Sequence, residues 1–247
     1  MNTEQKIKKI KELQKRVDEN SIEKIGSFLE DDDTATKLTA IEVLGELPKD
    51  ESIKSILIKL TENPDEEIRF YALESLHGYT GEDVYASVVK RLEDSDELVR
   101  ISAVEVIVNL KDIKGIEHLC NALTDTDEIV RSYAAEGIGK IGTKTYIPIL
   151  EKYLSREKSN LSKLGFFLGL YLLGEKKYLN SILALLENRS YRVRCAVANS
   201  VVDLVNQENI KQIKERLLSA LKNERTNAAH STLEGALEEI NSLNLIQ

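Results

Sequence analysis

Asp94-Ser-Asp-Glu-Leu-Val-Arg100 and Asp125-Thr-Asp-Glu-Ile-Val-Arg131 are nearly the same seven-residue phrase. Asn63-Pro-Asp-Glu-Glu-Ile-Arg69 precedes them and Asn188-Arg-Ser-Tyr-Arg-Val-Arg194 follows, each ending on an apolar residue and then Arg. The basic position recurs at Lys37, Arg69, Arg100, Arg131, Lys163 and Arg194, a beat of 31 or 32 residues. Leu29, Leu60, Leu92, Leu123, Leu154 and Leu186 keep the same beat upstream. A fixed period of this length marks units that cannot bury their apolar faces alone and must stack on one another.

Each unit reads as two helices. Ile53, Ile56, Leu57 and Leu60 share one face of a first helix, as do Ile116, Leu119, Cys120 and Leu123. The acidic turn then offers an Asp to cap the second helix, whose apolar positions are those of Ile68, Ala72, Leu73 and Leu76. Ala40, Ala72, Ala103 and Ala134 fall three residues after the basic position, where a small side chain lets neighbouring helices close up. Gly45, Gly78, Gly81 and Gly142 fall near the ends of second helices, where left-handed turns are expected. Units begin near Ser21, Ser52, Val84, Gly115, Tyr146, Tyr178 and Asn209. The expected organisation is one domain over 1–247: a cap helix in 1–20, six regular repeats in 21–208 and a degenerate capping repeat in 209–247. The cap helix, over 3–19, places Ile7, Ile10, Leu13 and Val17 on one face and lysines on the other.

The beat and the Asp-x-x-Val-Arg-x-x-Ala pattern resemble the short HEAT-like repeats of the phycobilisome-lyase class. The resemblance covers nearly the whole chain from about residue 21. It implies an all-α, right-handed α-α superhelix of about seven helix pairs. It is specific for fold and not for function, because such solenoids serve as scaffolds, inhibitors, lyase subunits and repair proteins.

Composition agrees with a folded helical chain: 42% of the residues are apolar, only three are Pro and none is Trp. A net charge of −8 repels phosphate backbones and favours basic partners, so nucleic acid is not expected. No apolar leader follows the start, and the longest nearly apolar run, Leu164 to Leu173, is about half of a membrane span. The expectation is a cytoplasmic chain with no membrane contact.

Chemistry is harder to find. His77, His118 and His230 sit in different units, and none lies i,i+4 from a second metal ligand. Cys120 and Cys195 match no metal spacing and read as small core residues. There is no phosphate-binding Gly loop and no nucleophile elbow. Neither a catalytic residue nor a cofactor or metal site is assigned, and the chain reads as non-enzymatic. The Asp four residues before the basic position (Asp33, Asp65, Asp96, Asp127; Ser159 and Ser190 later) suggests a ladder of ion pairs within or between adjacent units. Such a ladder serves folding.

In this repeat class the second helices line the concave face. Counting from the basic residue as zero, positions −1, +3, +4 and +7 face the core, and +1, +2, +5 and +9 face outward. Position +5 reads Glu42, Glu74, Glu105, Glu136, Leu168, Asn199 and, in the last unit, Glu234; position +9 includes Leu172 and Asp203. An acidic stripe of this kind steers and holds a basic protein, or it is repeat consensus and nothing more. Phe70, Tyr71 and Tyr133 at +1 and +2 are candidate anchors. Leu164, Leu168 and Leu172 form a stripe where other units are polar. It is a partner hot spot, a contact in a weak homodimer, or a stripe buried by a local change of twist. The expected function is to bind a basic protein on the acidic face, with an immunity-type inhibitor of a toxin as the concrete form. The alternatives are a lyase-like or repair enzyme, or a self-associating scaffold.

Overall fold

A computed structural model describes residues 1–16 and 19–243. Every regular element among the described residues is helical. A cap helix, α1 (Thr3–Gln14), precedes the first helices α2 (Glu19–Gly26), α4 (Glu51–Leu60), α6 (Glu82–Arg91), α8 (Gly115–Ala122), α10 (Ile147–Leu154), α12 (Tyr178–Ala184) and α14 (Ile210–Asn223). These alternate with the second helices α3 (Thr34–Glu46), α5 (Glu66–Ser75), α7 (Glu97–Leu110), α9 (Glu128–Ile141), α11 (Asn160–Leu172), α13 (Tyr191–Val202) and α15 (Asn227–Ser242). The seven predicted starts therefore coincide with seven first helices to within a few residues. In α1, Ile10 is buried and Ile7 and Leu13 are half-buried; Val17 lies outside the described residues.

The helices gather into two compact units, Met1–Ala122 and Leu123–Gln247. In the first, α1, α3, α5 and α7 form a layer by successive contacts, and α2, α4 and α6 lie against it. In the second, the layer is α9, α11, α13 and α15, backed by α10, α12 and α14.

The repeat positions explain why these layers form. Position +3 is fully or nearly fully buried from Ala40 through Ala72, Ala103, Ala134, Phe166 and Val197. Position +7 is likewise closed at Leu44, Leu76, Ile107, Ile138, Leu170 and Val201. Each fully buried Leu or Ile contributes about 1.5–3 kcal/mol relative to exposure, so every unit pins its second helix with several side chains of that kind.

Glycine has two roles. Gly78 (φ +81°) and Gly174 (φ +107°) take positive φ at helix exits, and Gly81 (φ +125°) does so at the entry of α6 as its N-cap residue. Gly142 is extended (φ −88°, ψ −173°) and Gly45 lies inside α3, so neither holds the expected left-handed turn. A Cβ on Gly45 would sit 2.6 Å from Cβ of Ser75, so its smallness serves contact between α3 and α5.

Candidate interaction surface

The local chemistry of the acidic turn sets the register of the surface. Asp33, Asp65, Asp96 and Asp127 are N-caps: each carboxylate accepts backbone N–H groups from the first turn of its helix. They are not the partners of the recurring arginines, contrary to the simplest form of the ladder. That partner lies two residues earlier, at the position occupied by Asp31, Asn63, Asp94, Asp125, Glu157, Asn188 and Glu224. In all seven units this side chain accepts the backbone N–H of the N-cap residue at 2.8–3.1 Å. At Asp31, Asp94, Glu157 and Glu224 it also takes a cation from the preceding helices. Arg69 donates Nε and Nη2 to Asp94 (2.9 and 2.7 Å), Arg131 to Glu157 (2.7 and 3.1 Å), and Arg194 to Glu224 (2.6 and 2.7 Å). Lys6 of α1 reaches Asp31 in the same way (2.8 Å).

The remaining nitrogen of each arginine holds its own turn. Nη1 donates to the Asn63 and Pro64 carbonyls from Arg69, to Asp94 and Ser95 from Arg100, to Asp125 and Thr126 from Arg131, and to Asn188 and Arg189 from Arg194. One planar fork thus closes one turn, and those of Arg69, Arg131 and Arg194 also tie it to the next. The Glu157 side chain is 7% exposed and that of Glu224 is 2%. Burial pushes the Glu157 carboxyl up, but Arg131, the Ser159 N–H and the Ser162 hydroxyl outweigh it and hold the group at about 2. Arg194, followed by opposing burial, holds Glu224 at about 2 as well. Both carboxylates belong to folding, as the ladder reading expects.

On the second-helix face of the first unit, Glu42 is exposed and Glu74 and Glu105 are half-buried. Glu74 accepts a 2.5 Å hydrogen bond from Ser102 Oγ on α7, so it links helices as well as carrying charge. Glu46 accepts one from Gln14 (2.6 Å). Phe70 and Tyr71 are half-buried and meet edge to face with centroids 5.4 Å apart. Helices α3, α5 and α7 carry Glu42, Glu46, Glu66, Glu67, Glu74, Glu97 and Glu105 against Lys37, Arg69 and Arg100, so these three helices are acidic, whereas α1 beside α3 adds Lys6, Lys8, Lys9 and Lys11. Arg69 is already neutralised by Asp94.

The second unit differs. Glu136 is half-buried and paired with Lys140 (2.7 Å), and α11 and α13 carry the cations Lys163, Arg192 and Arg194 with no carboxylate. Asn199 and Asp203 are exposed, and Tyr133 is 38% exposed. The Leu stripe does not lie on the surface. Leu164 (3%) and Leu168 (2%) are core, joined to Val193 and Val197 of α13, and only Leu172 (40%) is open. The cause is a set of glycines that the repeat reading passed over. A Cβ on Gly165 would overlap the Ser132 carbonyl, and one on Gly169 would overlap that of Ala135. Helix α11 therefore lies backbone to backbone against α9, and its leucines turn into the layer. A spacing of small residues at 139, 165 and 169 was the available clue.

The histidines are structural in placement. His77 Nδ1 lies 3.0 Å from the Glu74 carbonyl, His118 rests edge-on to Tyr85, and His230 meets Glu234 at 3.1 Å. Cys120 and Cys195 are free and half-buried rather than fully enclosed; burial raises the Cys120 thiol. Among the described residues no cluster of His, Cys, Asp and Glu has the makings of a metal site, and no helix is long and apolar enough to cross a membrane.

Comparison with known proteins follows the repeat. A family model described as HEAT repeats matches residues 22–108 and 85–163. The complex of CpcE and CpcF of phycocyanin lyase from Nostoc sp. PCC7120 contains a chain 16% identical, with a TM-score of 0.63 over 89% of this chain and 94% of that one. An X-ray structure of YibA from E. coli is 19% identical, with a TM-score of 0.54 over 93% and 85% of the two chains. At these identities the likeness is one of fold. No protein of curated function matches the chain.

Proposed function

The chain belongs to the HEAT-repeat family, and from that premise we propose that it is a non-enzymatic protein-binding module whose acidic second-helix face, in the first unit, engages a basic protein. The observation that carries this reading is the charge of α3, α5 and α7. Glu42 stands in solvent, Glu74 and Glu105 occupy the same repeat position, and the Phe70–Tyr71 pair lies beside them on α5. Carboxylates on a repeated frame steer a cationic partner and reject acidic ones, and half-buried aromatic side chains supply anchor area. A narrower form is an immunity-type inhibitor masking a cationic toxin; it draws on the same acidity.

The test is affinity capture at low salt with the wild type and with Glu42→Gln/Glu74→Gln/Glu105→Gln. Gln keeps the acceptor that Ser102 needs. A basic protein held by the wild type and lost from the variant, with circular dichroism unchanged, supports the reading. Equal capture by both, or a captured partner that is acidic, overturns it.

The fold likeness to a chain of the phycocyanin lyase complex favours a second reading, a subunit of a lyase-type assembly. Co-expression with a phycocyanin subunit and its chromophore separates the two. Chromophore attachment that depends on this chain would favour the second.

A further inference from the structure

The glycine contact that buries the Leu stripe has a second consequence. Helix α11 is drawn onto α9 along its length and touches α13 much less. Between α11 and α13 the second-helix layer of the second unit opens into a cavity of about 330 Å³. Leu164 and Leu168 make its floor, and Ile129, Tyr133 and Ala196 give it apolar walls. This volume accepts one large aliphatic or aromatic side chain.

The charges at the rim are unequal. Glu136 lines one side, but Lys140 pairs with it at 2.7 Å. Arg192 lines the other side, is exposed, and has no ion pair or hydrogen bond among the described residues. An occupant that places a carboxylate beside its apolar anchor satisfies Arg192; one that places an ammonium there meets repulsion.

We propose that this groove docks a protein segment in which a large apolar residue is followed directly by an acidic one. The surface is separate from the acidic face of the first unit, so failure of either leaves the other standing.

The experiment uses the full ¹⁵N-labelled chain and two model peptides, acetyl-Gly-Phe-Glu-Gly-amide and acetyl-Gly-Phe-Lys-Gly-amide. A single anchor gives roughly millimolar binding. The acidic peptide is expected to shift the backbone amides of Tyr133, Leu164 and Ala196, and to bind about fivefold or more tightly than the basic one. Arg192→Glu, a surface change, should reverse that order. Ala196→Trp should fill the groove and abolish both. The proposal is overturned if neither peptide shifts those amides at about 5 mM, if the two bind equally, or if Arg192→Glu leaves their order intact. Because Arg192 is exposed, the last arm stands even if the Trp variant fails to fold.

Discussion

Replacing Glu157 by Gln removes a charge from the most crowded point of the second unit. The carboxylate accepts two bonds from Arg131, one each from the N–H groups of Lys158 and Ser159, and one from the Ser162 hydroxyl. In the folded chain the group titrates at about 2, against an ordinary value of 4.5. A folded value below the unfolded one means that the carboxylate stabilises the fold above about pH 4.5, and that this stability fades as pH falls toward 2. A separation of that size corresponds to roughly 3 kcal/mol near neutrality. Breaking a buried pair from one side costs about 3–5 kcal/mol by mutational precedent. The Gln amide also turns an N–H donor toward a guanidinium, which is itself all donors. Urea denaturation followed by circular dichroism should therefore show Glu157→Gln less stable by about 3 kcal/mol at pH 7. By pH 3 roughly three-fifths of the wild-type advantage is gone, so the gap should shrink to about 1–1.5 kcal/mol. A gap of the same size at both pH values would show that the carboxylate acts through shape and not charge. A gap near zero at pH 7 would refute the clasp altogether.

Three further outcomes follow from the same geometry. Gly165→Ala should cost more than about 2 kcal/mol, because the new methyl meets the Ser132 carbonyl, whereas Gly235→Ala, with nothing within 4 Å, should gain about 0.5–1 kcal/mol from helix propensity; equal effects in thermal melts would contradict the close α9–α11 contact. Leu168→Asp should abolish cooperative unfolding while Leu172→Asp stays within about 0.5 kcal/mol of the wild type; a folded, monomeric Leu168→Asp protein by light scattering would instead restore Leu168 to the surface. Asp65→Ala should lose about 1 kcal/mol with its cap, and Ser190→Asp should gain a similar amount, since Ser190 makes no side-chain cap bond to α13; a Ser190→Asp chain that melts lower than the wild type would count against that reading of the turn.

Much of this was readable from residues alone, for a physical reason. Burial at −1, +3, +4 and +7 follows from helical period, so Ala72, Val99 and Ile138 declare their places in any window. N-capping by Asp65 or Asp96 is equally local. The partner of Arg131 was not legible in the same way, because Glu157 lies 26 residues away and is marked only by a repeated Asp, Asn or Glu two residues before the cap. The residues alone left the Leu stripe open between surface and core, because Gly165 and Gly169 set how deeply α11 sits, and depth is a property of two helices together. The acidic character is that of α3, α5 and α7 and, in the second unit, of α15 with Glu234, Glu238 and Glu239, whereas α11 and α13 carry cations alone. The proposed function rests on those charges and on Phe70 and Tyr71.

The most direct measurement places a photo-activated cross-linking amino acid at Glu42, on the second-helix face, or at Lys59, exposed on first helix α4, in the native host. The account predicts a discrete adduct with a basic protein from position 42, weakened by added salt, and none from position 59. An adduct from position 59 alone, or one from position 42 with an acidic protein, would contradict it.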